Sequence, residues 1–253
     1  MTKSFFATCI LVLALSQLSS AQRETVNQTT QWFTVHSQFK VSKHYSILAE
    51  GQFRFVNNME PMQFQARTGL DIHVSKNFSF MPIGYVYCWN PIYGKQPAAF
   101  SNNEHRTFQQ VQYTHHIGRL YFGHRARLEQ RFIEVHSNQN GEIVNEGYTL
   151  YLNRVRYRFQ VQIPINNKEI VPGTFYASIY DELFMDFGSN AVYTDPDQNR
   201  IFVGAGYKVN KGTAIQAGFF EQQLIKLSGT KQENNVGFQV VLLYNFDLTK
   251  KEE

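Results

Sequence analysis

The stretch Gly123–Phe132 reads GHRARLEQRF. Successive side chains of a β-strand point to opposite faces of the sheet, so Arg125, Arg127, Glu129 and Arg131 share one face while Ala126, Leu128 and Phe132 share the other. The alternation recurs in Asn153–Ile163, where Arg154, Arg156, Arg158, Gln160 and Gln162 alternate with Val155, Tyr157, Phe159, Val161 and Ile163. Side by side, the two strands present six arginines on one surface and an apolar row on the other.

Working outward, the same period of two runs through nearly the whole chain, and no amphipathic helix stands out. Strands are predicted at Gln31–Val41, Tyr45–Val56, Gln63–Val74, Phe78–Trp89, Glu104–His115, Phe175–Phe187, Arg200–Val209, Thr213–Leu227 and Asn235–Leu248, besides the two arginine strands. Phe78–Trp89 has apolar residues at both parities, which leaves its facing open. The segments Asn90–Asn103, His136–Gly147 and Gly188–Gln198 read as loops, marked by Pro91, Gly94, Pro97 and clustered polar residues.

The N-terminus reads as an export signal. Lys3 precedes an apolar run from Phe5 to Leu15, followed by the small residues Ser19, Ser20 and Ala21, so residues 1–21 are expected to be removed and residues 22–253 to form one domain. No stretch approaches the roughly 20 apolar residues of a helical membrane span. Cys9 falls within the signal and lacks a lipid-attachment context; Cys88 is then alone and can form no intramolecular disulfide. The formal charge of +4 falls to +3 without Lys3, too small a bias to suggest nucleic acid as a partner.

Charge placement says more than the total. Ten of the twelve arginines fall in predicted strands, all but Arg23 and Arg119, whereas lysines such as Lys43, Lys76, Lys168 and Lys211 fall at turns. A planar, permanently charged guanidinium suits confined networks with carboxylates and amides, while an ammonium favours free hydration. Short turns after Val41, Val74, His116 and Val209 alternate with longer connections after Trp89, Val135, Phe187 and Leu227, as in outer-membrane barrels. These signals together predict an all-β, antiparallel transmembrane β-barrel in the outer membrane, with the lipid bilayer as its partner. The strand pass gives eleven. Because bacterial barrel chains ordinarily have an even count, twelve strands are expected, with Gln22–Thr30 as the twelfth, and ten as the alternative.

Alternation shows two unlike faces without showing which meets lipid, and a soluble exported ligand-binding barrel would invert the assignment. His124 and Gln130 lie on the apolar face and run against the membrane reading. The strand lengths, the arginine placement and the 15% aromatic content favour it.

The segments His124–Phe132 (HRARLEQRF), Tyr180–Phe184 (YDELF) and Asn199–Phe202 (NRIF) resemble a family of bacterial outer-membrane β-barrels designated only as a domain of unknown function, DUF2490. The resemblance covers nearly the whole chain after residue 21. It implies a membrane barrel and brings no reaction or ligand with it.

With the arginine face inside, Arg54, Arg67, Arg106, Arg125, Arg127, Arg131, Arg154, Arg156, Arg158 and Arg200 form a lumen ionic network with Glu50, Asp71, Glu129 and Glu182. The expected role is structural or interactive at the outer membrane, or narrow solute passage through a filled lumen. Ten cations against four anions leave a surplus suited to an anionic solute or lipid headgroup. The competing class is a lipid-directed enzyme. His36 with Ser37 and His136 with Ser137 supply the residue types, but strand neighbours face apart and no nucleophile elbow is present. His115 and His116 likewise cannot share one ion if the strand continues through them. No catalytic residue, cofactor or metal ligand is assigned.

Overall fold

The computed structural model describes residues 23–192 and 196–249, and the export segment expected at residues 1–21 lies outside them. The strands are β1 (Glu24–Lys40), β2 (Tyr45–Val56), β3 (Glu60–His73), β4 (Phe78–Asn90), β5 (Asn102–Ile117), β6 (Leu120–Ile133), β7 (His136–Gln139), β8 (Glu142–Asn145), β9 (Leu150–Pro164), β10 (Thr174–Phe187), β11 (Gln198–Lys208), β12 (Thr213–Ile225) and β13 (Lys231–Asp247). Eleven of them close a barrel in the order β1-β13-β12-β11-β10-β9-β6-β5-β4-β3-β2. No helix occurs among the described residues.

The expectation of twelve strands, or ten, is therefore corrected to eleven. The segment proposed as a twelfth strand is instead the first part of β1. The run from Glu24 to Lys40 contains neither Gly nor Pro to break it and continues as one strand. An odd count forces one parallel seam. β1 pairs with β13 in parallel, from Glu24 opposite Lys231 to Lys40 opposite Asp247, while every other neighbouring pair is antiparallel. The start of β1 and the end of β13 thus lie at opposite ends of the barrel. Gly237 makes the seam possible, because a Cβ there would run into the backbone of Thr30 in β1.

The open facing of β4 is resolved by a bulge. Pro82 cannot donate to a ladder, and the register with β5 slips between Met81 and Gly84. Beyond the slip, Val86 and Cys88 turn inward while Tyr85, Tyr87 and Trp89 turn outward. The stretch read as a loop at His136–Gly147 contains the β7–β8 hairpin. Its Asn140–Gly141 turn has both residues at positive φ (55° and 94°), the two-residue geometry that matches strand twist.

Interior and exterior are sharply unlike. Inside, Trp32, Tyr180, Phe202 and Phe220 form one buried cluster and Leu48, Met81, Val86, Cys88 and Phe108 another. Guanidinium groups lie over interior rings: Arg54 is 3.9 Å from the Trp32 ring centre and Arg127 4.2 Å from Phe108 within these clusters, and Arg200 is 4.3 Å from the buried Phe184 beside them. Outside, large apolar side chains stand exposed along the strands, including Phe219 (78% exposed), Ile83 (61%) and Val203 (53%).

Candidate functional site in the barrel interior

Period two delivers the arginines to one face of each strand, and the register between strands decides which carboxylate each one meets. Glu129 is fully buried and is approached by Arg106 at 3.6 Å, Arg127 at 3.5 Å and Arg156 at 3.4 Å, from β5, β6 and β9. Glu182 on β10 takes Arg125 at 2.7 Å, Arg156 at 3.6 Å and Arg200 at 3.8 Å. Arg156 joins the two clusters. Separately, Glu50 pairs with Arg67 and with the Nδ1 of His36. Asp71 is buried with no arginine partner, and one oxygen accepts from Gln38 at 3.4 Å.

Sequence reasoning missed three anions. Glu104 holds Arg106 at 2.7 Å and Arg131 at 2.6 Å; Asp186 holds Arg131 at 3.1 Å and Arg154 at 2.6 Å; Asp197 takes Arg154 at 2.7 Å. Glu104 is in phase with Arg106, and Asp186 with Glu182, so period two could have found both. Asp197 precedes β11 and had no phase to reveal it. These anions reduce the surplus expected from ten arginines against four carboxylates.

Two of the predicted arginines have no carboxylate within ion-pair distance. Arg54 donates to Gln52 (2.5 and 2.9 Å) and Gln63 (2.6 Å). Arg158 has no hydrogen-bond acceptor; its guanidinium lies 5.0 Å from the centre of the Tyr180 ring.

The packed middle separates two cavities. The first, of about 490 Å³, opens at the end carrying the 91–101 and 134–149 connections, with Arg54, Arg106, Arg154 and Arg200 beside Glu104, Asp186 and apolar Leu150, Leu152 and Ile133. The 91–101 connection folds over this mouth to the β1–β13 seam. There Tyr93 donates to Glu233 at 3.1 Å, the Lys95 backbone N–H donates to Gln28 at 2.9 Å, and Gln96 donates to the Glu24 carbonyl at 2.8 Å. Burial and the neighbouring Glu233 carboxylate push the Tyr93 phenol well above its ordinary pKa, which keeps its proton available for that bond. The second cavity, of about 460 Å³, opens at the opposite end, and its lining combines side-chain amides such as Gln112, Gln162 and Gln216 with Arg158, Lys76, His115 and His116.

The serine and histidine pairs singled out from sequence do not converge. His36 turns inward to Glu50, and Ser137 donates to Glu146 at 2.6 Å in the hairpin. The barrel does bring Ser46 to His73 at 2.7 Å, but Ser46 is buried, no carboxylate hydrogen-bonds His73, and neither residue lines the two cavities. His115 stacks on Phe122 and His124, whereas His116 packs on Tyr121. Among the described residues no His, Cys, Asp and Glu group is placed to hold a metal ion.

Comparison with solved structures finds similarity to a NanC porin crystallised in a rhombohedral form, at 10% identity and a TM-score of 0.45, covering 86% of this chain and 98% of the porin. No curated protein matches. Residues 29–234 match the family model described as "Protein of unknown function (DUF2490)", which spans the barrel from within β1 into β13, and the chain belongs to that family.

Proposed function

We propose that this protein is an outer-membrane barrel with a structural or interaction role, whose filled interior does not conduct under resting conditions. The observation that carries the reading is the inversion of its surfaces: Arg127, Arg156 and Glu129 are buried at its centre while Phe219, Ile83 and Val203 face outward. Water would penalise such an exterior and lipid would not. The outward polar groups support the same environment, because they satisfy one another. His124 bonds the Tyr157 hydroxyl at 2.7 Å, Gln130 accepts from Thr107 and exchanges bonds with Gln109, and Asp181 accepts from Asn199 at 2.6 Å. The polar groups that ran against a lipid-facing surface in the sequence are thus partnered within it.

Fractionation and bilayer recording test this together. The protein should sediment with outer membranes, run faster on gels when unboiled, and give no steady conductance in planar bilayers. Recovery as soluble protein overturns the location, and sustained channel steps overturn the filled interior. Lipid-directed catalysis finds less support, because the Ser46–His73 pair has no hydrogen-bonded carboxylate and lines neither cavity.

Orientation gives a separate expected result. The 91–101 and 134–149 connections share one end and the 74–77 and 209–212 turns share the other. On intact cells an impermeant thiol reagent should label Gln139→Cys and spare Lys211→Cys. The opposite labelling pattern would invert the barrel.

A further inference from the structure

The second cavity differs from the first in a way that bears on ligands. Its lining includes Arg158 and Lys76 and contains no aspartate or glutamate, whereas the first cavity has Glu104, Glu134, Asp186 and Asp197 beside its arginines. Arg158 lines this space with no hydrogen-bond acceptor, its guanidinium 5.0 Å from the centre of the Tyr180 ring and Glu182 opposite it in register on β10. Around it, the side-chain amides of Gln112, Gln162 and Gln216 also have no hydrogen-bond partner in the protein. Two further glutamines are already committed: Gln160 donates to Ser178 at 3.1 Å and Gln239 accepts from Tyr180 at 2.6 Å. The open groups thus include the Arg158 fork and three neutral amides that can both donate and accept, with Lys76, Thr114, His115 and His116 also on the lining.

We infer that this cavity is a binding site for a small, hydroxyl-rich organic anion whose carboxylate or phosphate docks on Arg158 and whose hydroxyls bond Gln112, Gln162 and Gln216. A guanidinium takes either oxyanion in a two-pronged geometry. The amides select for hydroxyls because each can meet an O–H as donor or acceptor. Lys76 at the turn beside the mouth adds attraction without competing at the floor. About 460 Å³ falls within the usual range for small-molecule sites. The inference goes beyond the membrane reading and does not depend on it.

Calorimetric titration of the folded barrel in detergent tests the site wherever the protein resides in the cell. Gluconate and glucose 6-phosphate represent the two headgroups, sorbitol the hydroxyls alone and acetate the carboxylate alone. Gluconate or glucose 6-phosphate should bind at least tenfold more tightly than sorbitol or acetate, and whichever binds identifies the headgroup. Arg158→Gln should weaken that binding at least tenfold, while Arg54→Gln, in the other cavity, should leave it unchanged. Gln216→Ala, which removes no protein hydrogen bond, provides a second variant should Arg158→Gln fail to fold, and should weaken gluconate at least threefold without changing acetate. Absence of binding by both anions, unchanged affinity in these variants, or acetate or sorbitol binding as tightly as gluconate would overturn the assignment.

Discussion

Glu129→Ala should lower the temperature at which the folded, fast-migrating gel band disappears, by far more than Glu142→Ala at the tip of the β7–β8 hairpin. Glu129 is fully buried and stands among Arg106, Arg127 and Arg156. Removing one member of a buried ionic group leaves uncompensated charge and costs on the order of 3 to 5 kcal/mol. The lower end is expected here, because Arg106 retains Glu104 and Arg156 retains Glu182. Arg127 would keep Gln110, at 2.6 and 2.9 Å, and the Phe108 ring, but no carboxylate. Glu129→Gln, which preserves shape while removing charge, should fall between the parent and the alanine variant. Melting of Glu129→Ala together with the parent would mean that water reaches this cluster, and the filled interior would have to be abandoned.

The seam between β1 and β13 should be equally sensitive to a single methyl group. Gly237 faces inward opposite Thr30, and an added Cβ would meet the Thr30 carbonyl and backbone, which cannot swing aside as a flexible side chain would. Thr30 is itself fixed, donating to the Phe55 carbonyl at 2.9 Å and accepting from the Trp32 indole at 2.7 Å. Overpacking of this kind typically costs 1 to 3 kcal/mol. About 3 is expected for Gly237→Ala, because relief requires the two strands to separate. Parallel pairing is slightly weaker per residue than antiparallel pairing, so the damage should spread along the seam. Hydrogen exchange should quicken in β1 and β13 before it does in β6 and β9. Gly51→Ala is the control, since its Cβ would come no closer than 3.8 Å to Phe53. Equal stability of the two variants would show that closure does not depend on close approach at Gly237.

Local chemistry carried much of the fold into the sequence. Side chains alternate with period two wherever a strand forms, so the shared face of Arg125, Arg127, Glu129 and Arg131 could be read without knowing any neighbour. Asn140–Gly141 is a hairpin signal of the same local kind, set among polar residues that by themselves suggest a loop. Features that depend on partners far apart in the chain leave no such local mark. An even strand count was imposed as a rule, yet Glu24–Lys40 finds Lys231–Asp247 in parallel and closes eleven strands. Pro82 marked irregularity in β4, but only pairing with β5 revealed the slip that turns Val86 and Cys88 inward.

The site divides along the same line. The sequence alone determined which residues share a face, because that follows from backbone geometry over two residues. Tertiary structure decided which charges meet, because register and closure set distances across strands. Glu104, Asp186 and Asp197 neutralise Arg106, Arg131 and Arg154, while Arg158, with the same alternation as its neighbours, is left without an ion-pair partner on a cavity whose lining has no carboxylate.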